Sequence, residues 1–362
     1  MKDVKCSQLG KLFVYIVPAM KLLLLPVILT NSAGRDSYLA VALMYLLDIA
    51  MLTLLLFTLR NIGNVTLSDF LGKFSNFVRI PVLLLFCVQF LLKACIPLVE
   101  EKLFLEDSLY QKISMFSFYL PVCLLLLFIA VKSARTYGRV GELLFALALI
   151  SFGLIFVLSF EAFDLRELKP FLFNGFSPVL KGSFQIVFWF GDFLLMVYFF
   201  GRISDSGNAF KKILLYAFVC MALTVLFMVI FTGIFGAVAV RQIFALSKIS
   251  KYNLVLSEVG RFDWFAVLVL LGGILFGAAV NLGAAVQLFQ DAFNIQKKTW
   301  IAVAMVVLLF GAGIFFNNNF IALFELFSGP LLWFFLFMQY AMPVILFILS
   351  FFFRRSYEKI LK

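Results

Sequence analysis

Apolar runs long enough to cross a bilayer recur from one end of this 362-residue chain to the other, and that recurrence leaves few folds open. Counting runs of about 17 to 25 residues, the sequence predicts spans near 12–30, 37–59, 80–98, 115–131, 140–160, 184–200, 213–235, 264–290, 300–316 and 331–352. Hydrocarbon offers backbone polar groups no water, so runs of this length read as helices. With 64% hydrophobic and 14% charged residues, the chain is an all-α integral membrane protein of ten transmembrane helices by this reading. Its longest connection, about 236–263, is too short for a soluble domain, so residues 1–362 make one transporter-like membrane domain.

Charge predicts the orientation. Eighteen of the thirty Lys and Arg residues fall in the amino-terminal tail, the even-numbered connections and the carboxyl tail, against ten in the odd-numbered connections. The positive-inside rule therefore places both termini in the cytoplasm. Basic loops against anionic lipid account for the net charge of +11, and no nucleic-acid partner is expected. Lys2, Lys5 and Lys11 precede an apolar stretch too long for a secretory signal, so the first span is expected to be retained. Cys6, Cys87, Cys95, Cys123 and Cys220 read as small apolar fillers rather than disulfides.

Chemistry is constrained as strongly. The chain has no histidine, which removes the usual acid/base group and the commonest metal ligand. No GxxxxGK[ST] phosphate loop is present either. Neither an enzyme nor a cofactor is expected, and function has to come from binding and conformation.

Ten spans divide into five and five, and an odd number of helices per repeat makes the halves face opposite ways. The first repeat would cover about 10–160 and the second about 180–352. The first helix of each half is the one such folds interrupt, and spans one and six both carry a lesion. Span one contains Pro18, Ala19, Met20, Lys21 and then Pro26, losing backbone donors around a central lysine. Span six contains Phe188, Phe190, Gly191 and Asp192, a carboxylate at bilayer depth beside a helix-weakening glycine. A pairing of Lys21 with Asp192 across a midplane site follows as an expectation. Three readings stand: a ligand site, a structural ion pair, or no contact with Lys21 reaching along its stem to water. An amino acid zwitterion would satisfy both charges at once.

Other polar residues within the spans are weaker pointers. Asp48 and Lys93 are ionisable and read as partners for neighbouring helices, with Lys93 close enough to a span end to snorkel. Gln89 reads first as an interhelical hydrogen bond, and is also a candidate ligand contact. Gly272, Gly273, Gly277, Asn281 and Gly283 share the eighth span, where close packing is the default and Asn281 is a candidate for the cavity. The connection at about 236–263 reads as an outer lid or as a helix lying on the membrane surface.

At these residues the chain resembles a known family. Asp164-Leu, Leu168, Pro170, Gly175, Pro178, Lys181-Gly182 and then Phe190-Gly191-Asp192 are similar to the pattern of spore germination receptor B subunits. Arg139 with Glu142, and Arg261 with Asp263, stand at further matching positions. The resemblance implies a ten-helix protein of the amino acid/polyamine/organocation transporter superfamily, with the leucine-transporter-like 5+5 inverted repeat. It implies a germinant sensor in the spore inner membrane, binding an amino acid or similar nutrient beside A and C subunits. This chain departs from the family's pattern in two places. Ala19-Met20-Lys21 stands where a glycine-containing break is usual, and Asp192 stands where Glu is common. A secondary amino acid permease is the competing function, and an assembly role without ligand a third.

Overall fold

The computed structural model describes residues 4–63, 65–108, 112–172, 175–204, 209–251, 263–317 and 319–360. The described residues are helical apart from turns and one isolated bridge between Val4 and Ile203. Pro18 sits in the last turn of α1 (Cys6–Ala19), and Pro26 occupies the first turn of α2 (Leu25–Ala33), where a missing N–H costs nothing. Residues 20–24 between them are unwound. After a 3-10 turn at Gly34–Asp36 come α3 (Ser37–Ile62), the short α4 (Leu67–Gly72), α5 (Asn76–Ser108), α6 (Met115–Ala130) and α7 (Ala134–Ser159).

The second half opens with α8 (Ser177–Gln185) and a 3-10 turn at Val187–Trp189. Gly191 then adopts a left-handed φ of +79°, and a 3-10 segment follows at Asp192–Phe199. The two arms of this span meet at 55°. Beyond it lie α9 (Ala209–Phe235), a 3-10 turn at Gly236–Arg241, α10 (Ala245–Lys251), α11 (Asp263–Phe293), α12 (Lys298–Phe316), α13 (Phe320–Ser328) and α14 (Leu332–Leu336). A π-helical turn at Phe337–Ala341 leads into α15 (Met342–Ile360).

Seven helical stretches among the described residues are long and apolar enough to cross a membrane, and eight if the bent sixth span is counted. The chain is a multi-pass membrane protein. The predicted first and fourth spans are not counted as spans of their own for physical reasons, and α2 is counted together with α3 as one stretch, Leu25–Ile62. Unwinding at 20–24 divides the first into helices of 14 and 9 residues, and α6 has 16 residues, fewer than the ~20 that cross a bilayer without help.

One predicted boundary is corrected. The third span does not stop at 98, because α5 continues to Ser108 and carries Glu100, Glu101 and Lys102 into the buried interior. Lys93 is therefore no snorkelling end residue: it lies in mid-helix and is buried.

Small residues set the position of α11. A Cβ at Gly277 would lie 2.7 Å from Met20 Sδ, and one at Gly273 would lie 3.0 Å from both Ala19 Cβ and Tyr15 O. These glycines let α11 press directly on the end of α1 and the start of the unwound stretch. In the 236–263 connection, Ala245, Leu246 and Ile249 of α10 are buried, and Ala245 N–H donates to Leu23 O in the first break at 3.2 Å. Arg261 lies outside the described residues, as does the rest of that connection from 252 to 262.

Candidate functional site

The two helix breaks meet in the interior. Lys21 Nζ pairs with Asp192 Oδ2 and also donates to Val17 O at 3.2 Å. Lys93 Nζ approaches Asp192 Oδ1 at 2.7 Å and donates to Phe188 O at 3.0 Å and Phe190 O at 2.8 Å. The carboxylate thus has an ammonium on each oxygen. Asp48 Oδ2 accepts the Gly191 N–H at 2.8 Å, and Gln339 Nε2 donates to Phe190 O at 2.9 Å. Asp48, Lys21, Lys93 and Asp192 are between 1% and 4% exposed, so none shares its charge with water. Two lysines face two aspartates, so with all four ionised the cluster carries no net charge.

Each local fold explains its part of this geometry. Unwinding after Pro18 lets the chain turn so that Lys21 N–H bonds to Pro18 O at 3.0 Å instead of continuing the helix. Gly191 holds a backbone conformation that side chains disfavour. A Cβ there would also overlap the Gln339 side chain. Gln339 itself comes from the π-helical turn, a type of helix irregularity often found at functional positions. Aromatic rings finish the cluster: Lys21 Nζ lies 5.0 Å from the Phe190 ring centre and 5.5 Å from that of Tyr45. The two rings pack edge to face at 5.3 Å, and the Tyr45 hydroxyl is held by Thr224 at 2.8 Å.

The structure brings together Lys21, Asp192, Gly191, Phe190, the carbonyls of Phe188 and Pro18, and the Ala19–Met20 turn. Phe188 places its ring elsewhere, stacked on Trp189 at 4.0 Å and edge-on to Phe327 at 5.5 Å. Gln89 is fully buried with neither amide atom hydrogen-bonded. Asn281 donates to Gly277 O at 2.9 Å within its own helix, leaving its Oδ1 without a partner. Neither bonds to the charge cluster. Lys93 and Asp48 were visible as ionisable residues in apolar spans, whereas nothing in the sequence marked Tyr45 or Gln339. A second polar link joins the same elements: Trp189 Nε1 donates to Glu100 Oε1 at 2.8 Å.

Backbone and polar contacts join separate elements at both ends of the structure. At one, Val4 N–H donates to Arg202 O at 2.8 Å, Ser204 N–H donates to Val4 O at 3.0 Å, and Glu142 takes Gln8 at 2.8 Å and Lys11 at 2.7 Å. At the other, Arg35 donates to Lys169 O at 2.7 Å and lies 3.4 Å from Glu167.

Three comparisons bear on this architecture. A family profile, Spore_permease, described as spore germination protein, matches residues 4–321. Spore germination protein KB of Bacillus subtilis (strain 168) is 28% identical over 183 residues, 48% of this chain and 48% of that protein. The alignment thus spans about half the length of the curated relative. A crystal structure of the Eremococcus coleocola manganese transporter, bound to an aromatic bis-isothiourea substituted compound, superposes with a TM-score of 0.61 at 13% identity. It covers 95% of this chain and 75% of the transporter chain. At that identity the likeness is one of fold.

Proposed function

Because the chain belongs to the Spore_permease family of spore germination proteins, we propose that it is the nutrient-sensing subunit of a spore germination receptor. The ligand site in this reading is the midplane cluster between the two interrupted spans. One observation carries it: Asp192, beside the left-handed Gly191, is ion-paired by Lys21 from the other break and by Lys93. A buried neutral cluster favours a ligand that is itself neutral but charge-separated. Removing one partner of a buried pair costs about 3–5 kcal/mol, so a ligand bearing a single charge would leave a residue uncompensated. An amino acid zwitterion brings its own carboxylate to an ammonium and its own ammonium to Asp192. The manganese of the structural neighbour does not transfer to this cluster, where two lysine ammonium groups oppose a divalent cation.

The wider arrangement follows from the same reading. Ten membrane segments form a 5+5 inverted repeat, with α1 and α2 as the broken first segment, α8 and the 3-10 stretch after it as the broken sixth, and α6 as a short fourth. Both termini face the cytoplasm. The connection holding α10 acts as an outer lid, a role supported by its hydrogen bond to Leu23 in the first break. Receptor A and C subunits in the spore inner membrane would read out a ligand-driven shift between two conformations, which requires unequal affinity for the two. The transporter fold favours a second reading, a secondary amino acid permease.

Thermal unfolding of the purified protein across a nutrient panel tests the site. A nutrient that stabilises the wild type and leaves Asp192→Asn and Lys21→Met unshifted supports it. No shift with any nutrient, in the isolated chain and again with A and C subunits present, removes the sensor reading. Net uptake of the same nutrient into vesicles holding only this chain supports the permease instead.

A further inference from the structure

The surroundings of Lys21 Nζ form a complete binding site for a primary ammonium ion. One carboxylate (Asp192), one free helix-end carbonyl (Val17 O, 3.2 Å) and two aromatic faces (Phe190 at 5.0 Å, Tyr45 at 5.5 Å) converge on it. This combination recognises alkylammonium groups, since charge, hydrogen bonding and ring quadrupole all favour a cation with N–H donors. Within the seat Lys21 is the occupant, and once displaced its ammonium stays available to a ligand's carboxylate. Other residues hold the carboxylate and the aromatic walls in place: Lys93 fixes the second Asp192 oxygen, Gln339 and Lys93 fix the Phe190 carbonyl, Asp48 fixes Gly191, and Thr224 fixes the Tyr45 hydroxyl.

We propose that this is a seat for small primary amines, such as the amine end of an amino acid, which the chain fills with its own Lys21 as a tethered competitor. The proposal rests on the midplane reading above for its location alone. Attachment to the same break gives Lys21 an effective concentration on the order of millimolar or more, so simple amines at lower concentration cannot displace it. The wild-type seat is therefore shut to them until Lys21 withdraws. A ligand that does bind has to offset the loss of the Lys21 contacts with contacts elsewhere on its frame.

Side-chain length makes this testable. Ala keeps only Cβ, so Lys21→Ala vacates the volume of n-propylammonium. Met matches the lysine stem through its terminal methyl, so Lys21→Met vacates only the ammonium position. Full-length wild type and both variants are purified and their thermal unfolding followed with ammonium, n-propylammonium or tetramethylammonium chloride at equal ionic strength. The expected result is a rise of a few degrees for Lys21→Ala with n-propylammonium and for Lys21→Met with ammonium. Tetramethylammonium, which lacks N–H donors, shifts neither, and the wild type responds to none. If Lys21→Ala is not recovered folded, Lys21→Met carries the test alone. Equal shifts in wild type and variants, or no amine-specific shift in a folded variant, overturn the proposal. A chain that ignores every nutrient yet passes this test keeps the seat and loses the sensor reading, so the two failures are distinguishable.

Discussion

At the scale of the residue, charge balance governs the interior. Asp192→Asn leaves Lys21, Lys93 and Asp48 buried with one positive charge in excess, and about 3–5 kcal/mol of stability should be lost. Adding Lys21→Met restores equality of charge, one lysine to one aspartate, so the double variant should be more stable than Asp192→Asn alone. Denaturation midpoints of both single variants and the double variant check this, and a double variant destabilised by the full sum of the two single losses would show that the two residues are not coupled. Gly191 is constrained twice, by its φ of +79° and by the Gln339 side chain against it. Gly191→Ala should cost about 1–2 kcal/mol for the left-handed backbone and about 1–3 kcal/mol for overpacking. Combining it with Gln339→Ala should recover the second part only, which a comparison of melting midpoints separates.

At the scale of the element, α11 acts as the wall against which the first break is held. Gly277→Val puts two methyl groups into Met20, and the backbone has to separate or Met20 has to leave its rotamer. A loss of about 1–3 kcal/mol is expected, together with weaker ligand-induced stabilisation, because the displaced residues adjoin Lys21; a Gly277→Val protein with native melting would contradict the packing. The breaks themselves were legible in the sequence, since proline and glycine act on the backbone locally and leave a mark in one dimension. The end of α5 was not. The apolar run of the third span ends near 98, which leaves Glu100, Glu101 and Lys102 in the following connection. Yet Glu100 accepts the Trp189 N–H and Lys102 pairs with Glu106 one turn on, so these two charges find protein partners and the helix continues. Partnership of that kind is a long-range fact, and so is the site role of Gln339, which lies 149 residues from its acceptor Phe190. Trp189→Phe strips Glu100 of this donor and should cost about 1–3 kcal/mol, read as a lower melting midpoint.

At the scale of the whole molecule, a sensor or permease needs at least two conformations, and the contacts that close its ends decide how they are populated. At the end bearing the amino-terminal residues, elements are tied together by the Val4 bridge to residues 202–204 and by Glu142, which gathers Gln8 and Lys11. The Lys11 and Glu142 side chains are 26% and 39% exposed, so solvent screens the pair and its share of folding stability is below about 1 kcal/mol. Its leverage on conformation is larger than that figure suggests. Where two states differ by a few kcal/mol, the loss of about 1 kcal/mol from one of them changes the minor population severalfold. Glu142→Gln should therefore leave the melting midpoint almost unchanged while raising the fraction of molecules open at this end. A cysteine placed at Gln8 reports that fraction, because the chain's own five cysteines are buried. Its labelling by a membrane-impermeant thiol reagent should accelerate severalfold on adding Glu142→Gln, and only in vesicles that expose the cytoplasmic face, if the positive-inside orientation holds. Labelling from the opposite face would reverse the topology, and an unchanged rate would show that Glu142 fastens nothing that moves.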